Sequence, residues 1–150
     1  MRTRGGDSRE LFHEWFEAAL ADAPFATLVD GVPLGSTSYM SIRPDDRVLE
    51  IGNTWLAPDA WGTGANTEAK LLLMEHAFER AGFLRVEFKT EAANDRSRAA
   101  LLGIGATFEG VFRKHMLVRG GERRDSAWYA VIDDDWPTVK ANLERRLARR

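Results

Sequence analysis

The sequence predicts an α+β domain, in which helices pack on a mixed β-sheet. Runs rich in β-branched and aromatic residues lie at 25–57 and again at 106–132, as hairpins of antiparallel strands require. One long helical pattern at 66–81 leads into another strand-like run at 84–90, which indicates a parallel crossover. Mostly antiparallel strands around a single parallel pair therefore define the predicted sheet.

Composition indicates one domain spanning residues 1–150. The chain has 44% hydrophobic residues and five tryptophans, enough for one sizeable core. Its 21 basic and 23 acidic side chains nearly cancel, so no broad nucleic-acid surface is expected. The absence of cysteine excludes disulfides, cysteine nucleophiles and thiolate metal sites, and the three histidines lack metal-ligand spacing. Without a long apolar run or a secretory signal, the expected location is the cytoplasm, with no membrane partner.

The first half of the chain predicts a helix followed by a three-stranded meander. Apolar residues recur at helical spacing over 7–20. Strands at 25–31 and 32–42 meet at an Asp-Gly turn, and a third strand covers 47–57.

The second half alternates helices and strands. Asn94 is placed to cap a short helix, and Pro137 suits the first turn of the last one. The predicted elements are a helix at 66–81, a strand at 84–90, a helix at 94–105, strands at 106–118 and 125–132, and a terminal helix from 136 to 147.

The stretch "WGTGANTEAK", 61–70, places two glycines directly before a helix. The start of a helix has unpaired N–H groups and partial positive charge, and glycines let an anion approach them closely. Residues 62–67 therefore predict a phosphate cradle, although they match neither the P-loop nor the dinucleotide fingerprint. The alternative is a tight turn in which Asn66 or Thr67 caps the helix.

Several ordered motifs make the sequence recognisable. The stretches "EIGNTWLAPDAWGTGANTEAKLLLMEHAFE" and "RVEFKTEAANDRSRAALLGIGATFEG", followed by "RKHM" and "RDSAWYAVI", resemble the GNAT superfamily of acyl-CoA N-acyltransferases. The similarity is greatest to the branch of ribosomal-protein N-terminal acetyltransferases, and it covers about 25–137. It implies a parallel strand pair that splays apart, helices on both faces of the sheet, acetyl-CoA as co-substrate and no metal. Members of this branch usually begin with a further strand, which this chain is expected to lack.

The resemblance also assigns residues to the cofactor. The glycine turn would hold the pyrophosphate, the end of the strand before it would pair with the pantetheine arm, and the family's Asn-x-x-Ser motif would face that arm. In the phosphate motif only Gly64 matches the family pattern strictly. The residues expected to contact acetyl-CoA are Trp55, Leu56, Trp61, Gly62, Thr63, Gly64, Ala65, Asn66, Thr67, Asn94, Ser97 and Arg98.

The expected chemistry is attack of a neutral amine on the thioester. A backbone N–H near Leu56 would meet the developing oxyanion. Glu50 is the candidate general base, with the alternative that it is merely the solvent-facing member of an alternating strand. The family's usual acid, a tyrosine, is replaced by Leu101, so Tyr129 or Ser97 would substitute, unless Tyr129 is a core residue.

The acceptor is expected to be a primary amine, on a protein N-terminus or a small molecule. His115 and Asp125 would bind it, with the alternative that they form a structural pair across the hairpin. A different class of function remains open, namely a non-catalytic acyl-CoA-binding module, and an interaction domain without cofactor is a third. Dimerisation through the late strands or the terminal helix is also open.

Overall fold

A computed structural model of the chain describes residue 9 and residues 21–149. The helix predicted at 7–20 therefore lies almost entirely outside the described residues. The strands are β1 Ala23–Val29, β2 Val32–Arg43, β3 Val48–Leu56, β4 Arg85–Glu91, β5 Thr107–Leu117 and β6 Arg123–Ile132. The helices are α1 Ala65–Glu75, which continues into a π-helical turn His76–Arg80, α2 Asp95–Gly103 and α3 Trp136–Ala148, and short 3-10 turns cover Pro58–Ala60 and Arg119–Gly121.

The six strands form one mixed sheet in the order β1-β2-β3-β4-β6-β5. β3 and β4 pair in parallel, and the other neighbouring strands pair antiparallel. The meander, the crossover helix and the late hairpin are all where the sequence predicts them. The α+β fold class with a mostly antiparallel sheet and one parallel pair is thus confirmed.

One face of the sheet carries the hydrophobic core. Alternate residues of β3, β4 and β6 point to this face, because successive side chains of a strand point to opposite sides. α1, α3 and the end of α2 pack there, so the described helices share a single core. Its buried members include Leu49, Ile51, Val86, Phe88, Ala127, Tyr129, Val131, Leu73, Met74, Ile104, Trp136, Val139 and Leu143.

The opposite face carries polar side chains that are nevertheless buried. Glu50 and Glu87 face each other across the parallel pair, and their residue exposures are 2% and 7%. Ser126 on β6 is fully buried. Buried charges need partners, so we expect each of these carboxylates to have a cationic partner on this face. The expectation of helices on both faces of the sheet is not tested by the described residues.

Candidate active site

The parallel pair of strands opens into a cleft. β3 and β4 pair at only three positions, the last of which joins Glu50 to Glu87. Beyond it β3 continues to Leu56 along β2, while β4 continues to Glu91 along β6. The splayed pair that the resemblance implies is therefore present, and the cleft begins immediately after Glu50.

The backbone of Leu56 faces this cleft. The N–H of Ala57 donates to the carbonyl of Leu34 on β2, at 2.7 Å. Since successive N–H groups of an extended strand point to opposite edges, the N–H and C=O of Leu56 point away from β2, to the open side. The free edge of β3 thus presents a donor and an acceptor to the cleft.

The indole of Trp61 already uses that acceptor. Its Nε1 donates to the Leu56 carbonyl oxygen at 2.9 Å, and the ring is half exposed. The guanidinium of Arg96, at the start of α2, lies 4.5 Å from the centre of the same ring. Trp61 and Arg96 therefore connect the β3 side of the cleft to its β4 side.

The glycine turn forms the start of α1. Gly62 and Gly64 have positive φ angles of 73° and 94°, which residues with a Cβ rarely adopt. Gly64 is the N-cap and makes no side-chain cap, so the alternative of an Asn66 or Thr67 cap is wrong. The hydroxyl of Thr63 accepts from the N–H of Ala65 at 3.3 Å. A Cβ at Gly62 would meet no atom within 4 Å, and the buried side-chain oxygen of Asn66 has no hydrogen-bond partner in the described part of the chain. A helix that starts at a glycine beside open space has the geometry of an anion cradle.

α2 begins on the other side of the cleft. The side-chain oxygen of Asn94 accepts from the N–H of Ser97 at 3.0 Å, which confirms the predicted cap. Arg98 points elsewhere than expected, because its Nε donates to the hydroxyl of Tyr129 at 2.9 Å and its Nη1 to the carbonyl of Ala92 at 3.1 Å. Its guanidinium is thus bound to protein atoms.

Tyr129 is a core residue, as the alternative held. It is fully buried and its ring lies 5.3 Å from that of Phe108. Its hydroxyl accepts from Arg98, and among the described residues no acceptor receives the hydroxyl's own proton. Leu101, at the position of the family's usual tyrosine, packs against the core.

Glu50 forms a buried ion pair with Lys89. The carboxylate oxygen Oε2 lies 2.8 Å from the ammonium of Lys89, and it accepts a longer hydrogen bond of 3.4 Å from Ser41. The side-chain exposures of Glu50 and Lys89 are 3% and 14%. The interpretation of Glu50 as a solvent-facing strand residue is therefore wrong. Its carboxylate lies at the point where β3 and β4 separate.

His115 and Asp125 have different partners, so the expected pairing across the hairpin is not found. Nδ1 of His115 lies 2.9 Å from the hydroxyl of Ser126, whereas Asp125 accepts from the backbone N–H of Lys114 at 2.6 Å. Lys114 has a positive φ of 51° in the irregular stretch of β5, which the Asp125 carboxylate stabilises. Burial, together with the charges of Lys89 and Arg124, lowers the pKa of His115, so its ring is mainly neutral at pH 7.

An aromatic cluster lies beside the ion pair. The rings of Phe112, His115 and Trp128 are in mutual contact, with centroids 5.0–5.6 Å apart. The ammonium of Lys89 lies 5.3 Å from the Trp128 ring, which joins this cluster to Glu50. Phe112 is 54% exposed, so the cluster is accessible from solvent.

Three cationic residues of the site escaped the sequence prediction. Strand alternation places Lys89 on the same face of the sheet as Glu87, but it does not identify Glu50 as the partner of Lys89. Arg96 reaches Trp61 only through the tertiary fold. Lys70 is buried on α1 in line with Thr67, Leu73 and Met74, so a lysine on the apolar stripe was the available signal.

The six-stranded sheet and its splayed parallel pair define a domain of the GNAT class. Residues 1–107 match the family model described as the acetyltransferase (GNAT) domain. This chain therefore belongs to the GNAT acetyltransferase family.

Individual relatives agree with this assignment. The chain is 32% identical over 113 residues to YdaF of Bacillus subtilis (strain 168), a protein that carries the name of a ribosomal N-acetyltransferase. That alignment covers 75% of this chain and 61% of YdaF, so the chain spans about three fifths of that relative. A crystal structure of a GCN5-related N-acetyltransferase from Brucella melitensis superposes with a TM-score of 0.87 at 34% identity, covering 94% of this chain and 66% of the other. RimJ of Mycobacterium smegmatis, solved with CoA-disulfide, shares the fold with a TM-score of 0.79 at 23% identity, covering 97% and 75%.

The described residues contain neither a cluster of metal-ligating side chains nor a membrane-spanning helix. Between residues 21 and 149 no group of three or more histidine or acidic side chains is arranged to hold a metal ion. None of the helices seen in that range combines the length and apolar character needed to cross a bilayer.

Proposed function

We propose that the protein transfers an acetyl group from acetyl-CoA to a primary amine, on a protein N-terminus or a small molecule. The observation that carries the proposal is the separation of β3 and β4 immediately after the buried carboxylate of Glu50. This arrangement places an open strand edge, a helix that starts at a glycine and a candidate base around one cleft. Acetyl-CoA would supply the acetyl thioester and a thiolate leaving group.

The glycine turn is the proposed pyrophosphate site. The start of α1 offers backbone N–H groups and partial positive charge, and its N-cap residue Gly64 has no side chain to compete with an anion. The residues fit an anion because the space beside Gly62 is open. Arg96, stacked on Trp61, supplies a cation near this turn, and this is a better placement than that of Arg98.

The free edge of β3 is the proposed site of the pantetheine arm. The Leu56 carbonyl can accept from an amide of the arm once the Trp61 indole releases it. The outward N–H of Leu56 would stabilise the oxyanion that develops on the thioester carbonyl. Trp55, 44% exposed, and the start of α2 at Asn94 and Ser97 would form the walls along the arm.

Glu50 is the proposed base, in its ionised state and paired with Lys89. An α-amine with a pKa of about 7.7–8.0 is deprotonated near pH 7 at a cost of roughly 1 kcal/mol, whereas a lysine side chain at about 10.4 costs roughly 4–5 kcal/mol. A carboxylate already neutralised by an ammonium is a modest base, which fits an α-amine better. This supports an N-terminus or a weakly basic small amine as acceptor.

The acceptor would lie over the aromatic cluster of Phe112, His115 and Trp128. Aromatic faces and a neutral imidazole suit the apolar part of an acceptor near its amine. His115 would contact the acceptor directly, while Asp125 would act by holding the irregular stretch of β5. In this site the amine nitrogen attacks the carbonyl carbon of the thioester. The C–S bond breaks, CoA leaves as the thiolate, and the proton of the amine passes to the carboxylate of Glu50.

The leaving thiolate requires little assistance. Since a thiol has a pKa near 8.5, the thiolate can leave without a dedicated acid. Tyr129 retains a hydroxyl proton that no described residue accepts, and Ser97 lies in the first turn of α2. Ser97 therefore remains the proposed donor, whereas the Tyr129 hydroxyl is fully buried in the core and does not take this role.

Calorimetric titration of acetyl-CoA into the wild type and Gly64→Glu tests the donor site. The new carboxylate and Cβ lie at the proposed pyrophosphate position, so binding should be lost. Gly121→Glu is a matched control, because Gly121 has a positive φ like Gly64 but lies in the β5–β6 turn, where a Cβ would meet open space. A folded wild type that does not bind acetyl-CoA would refute the proposal.

Release of CoA with a panel of peptides and small amines then tests transfer. The alternative, a non-catalytic acyl-CoA-binding module, is favoured by Leu101, which packs in the core at the position of the usual acid. Tight binding without turnover for any amine would select the alternative.

A further inference from the structure

Lys70 is a buried lysine without an acidic partner. It lies on α1, its residue exposure is 4%, and no carboxylate of the described chain contacts it. Its Nζ donates to the hydroxyls of Thr54, at 2.5 Å, and Thr37, at 3.0 Å. These two hydroxyls lie 3.0 Å apart, which closes a triangle of three side chains. A lysine in such a position requires an explanation, because uncompensated buried charge is costly.

The hydrogen-bond geometry suits an uncharged amine. A neutral amine has two N–H donors and the triangle offers it two hydroxyl oxygens, whereas an ammonium would have a third N–H without an acceptor among the described residues. Burial lowers the pKa of Lys70 to about 7, in agreement with this count. Lys70 thus acts here as a long hydrogen-bond donor.

The triangle connects the two parts of the proposed donor site. Lys70 lies six residues after Gly64, roughly 9 Å along the helix at 1.5 Å per residue. Thr54 lies two residues before Leu56, roughly 7 Å along the strand. Thr37 on β2 completes the contact from the neighbouring strand. Lys70 thus links α1 to β3 through the Thr54 hydroxyl and to β2 through the Thr37 hydroxyl.

The strand needs such a restraint at this point. Asn53, directly before Thr54, has a positive φ of 50°, and the pairing of β2 with β3 changes register between Ser36 and Ser38. Past Glu50 the strand also has no partner on its β4 side. The end of β3 therefore pairs with a neighbouring strand on one edge only, next to an irregularity.

We propose that Lys70 is a positioning residue, which with Thr37 and Thr54 fixes the distance between the glycine turn and the free edge of β3. A CoA ligand that uses both the helix start and the strand edge requires this distance to be constant. A ligand that uses only the helix start does not. The inference rests on the proposed function, since it assumes that both sites hold one molecule.

Lys70→Met and Thr54→Val test the inference through two ligands. Both variants remove the hydrogen bond between Lys70 on α1 and Thr54 on β3. Each keeps the side-chain volume, so both should fold. We expect acetyl-CoA to bind about tenfold more weakly, and ADP, which has the pyrophosphate but no arm, to change by less than about twofold. The dissociation constants come from calorimetry, with ADP measured by displacement of a fluorescent nucleotide.

Two control variants isolate the triangle. Thr54→Ser keeps the hydroxyl and should restore wild-type binding. Lys140→Met removes a lysine that connects α1, through Glu75, to α3 instead of β3, and should leave both affinities unchanged. Equal weakening of acetyl-CoA and ADP by Lys70→Met would show that Lys70 only supports α1, which overturns the inference.

Hydrogen exchange gives a readout that needs no ligand. In Lys70→Met the amide of Ala57, which donates to Leu34 on β2, should exchange faster, while those of residues 48–50, which pair on both sides, should not change. Unchanged exchange together with unchanged acetyl-CoA binding would overturn the inference and leave the proposed function intact. A wild type that binds no acetyl-CoA would refute the proposed function itself, whatever the exchange shows.

Discussion

Glu50 and Lys89 form a 2.8 Å ion pair across β3 and β4, at the position where these strands separate. Two buried charges attract each other strongly, but each has lost its hydration, so the pair contributes little net stability. Removing one partner is different, because the other charge then remains buried alone. The pair therefore makes each residue depend on the other, and it ties the candidate base to the mouth of the cleft.

Lys89→Met should destabilise the protein by about 3–5 kcal/mol, because it leaves the Glu50 carboxylate unpaired. The double variant Glu50→Gln/Lys89→Met should recover much of this loss. Urea denaturation monitored by tryptophan fluorescence measures both. Lys140→Met, which removes a partly exposed lysine, serves as the control and should cost far less. If Lys89→Met and the double variant lost the same free energy of unfolding, the carboxylate of Glu50 would not depend on Lys89 as its partner.

Glu50→Gln should reduce turnover far more than binding. A general base contributes typically 10²–10⁴-fold, so we expect kcat/KM for an amine acceptor to fall by about 10²-fold or more. The dissociation constant of acetyl-CoA should stay within about twofold, since Glu50 lies beyond the strand edge proposed for the arm. Steady-state release of CoA, with calorimetry on the same preparation, makes this comparison. A fall in acetyl-CoA affinity that accounts for the whole loss would assign Glu50 a structural role instead.

The order of elements was predictable because its signals are local. The helical spacing over 66–81, the Asp-Gly turn at 30–31 and the Asn94 cap each follow from a few neighbouring residues. The glycine turn was predictable for the same reason. Its positive φ angles and glycine N-cap depend on residues next to one another in the chain.

The electrostatics of the site were not predictable, because the partners are distant in sequence. Glu50 and Lys89 are 39 residues apart and Lys70 and Thr37 are 33 apart. From strand alternation alone, one interpretation is that Glu50 points to solvent, but Glu50 is buried in the structure. Arg98 is expected to contact the cofactor, but its guanidinium donates to the hydroxyl of Tyr129, which is 31 residues away in sequence.

Trp61→Phe should bind acetyl-CoA more tightly than the wild type. The indole N–H donates to the Leu56 carbonyl that the arm is proposed to use, so the ligand must displace it. Phenylalanine keeps a ring for Arg96 but removes the donor, and losing one competing hydrogen bond should improve affinity by about 3–10-fold. Calorimetric titration measures the effect. Weaker binding would indicate that the indole N–H serves the bound state.

The stability of the wild type should rise with pH between about 7 and 10, relative to Lys70→Met. Burial lowers the pKa of Lys70 from 10.5 to about 7, and no charged group of the described chain contacts its Nζ. In this window the unfolded chain holds the Lys70 proton and the folded chain does not, so raising the pH favours folding. The slope should be at most about 1.4 kcal/mol per pH unit, and it should vanish below the folded pKa, where both states are protonated.

Urea denaturation of the wild type and Lys70→Met at pH 6.0, 7.5 and 9.0 checks this slope. The difference between the two proteins removes the contribution of every other titrating group. Lys140→Met should run parallel to the wild type over the same range, because hydrogen bonds to Glu75 and Glu79 raise the pKa of Lys140 above its ordinary value. If Lys70→Met also ran parallel to the wild type, Lys70 would be charged in the folded protein, and the two-donor count at Thr37 and Thr54 would be wrong. A wild type that gains stability relative to the variant as the pH rises is the result that a neutral buried amine requires.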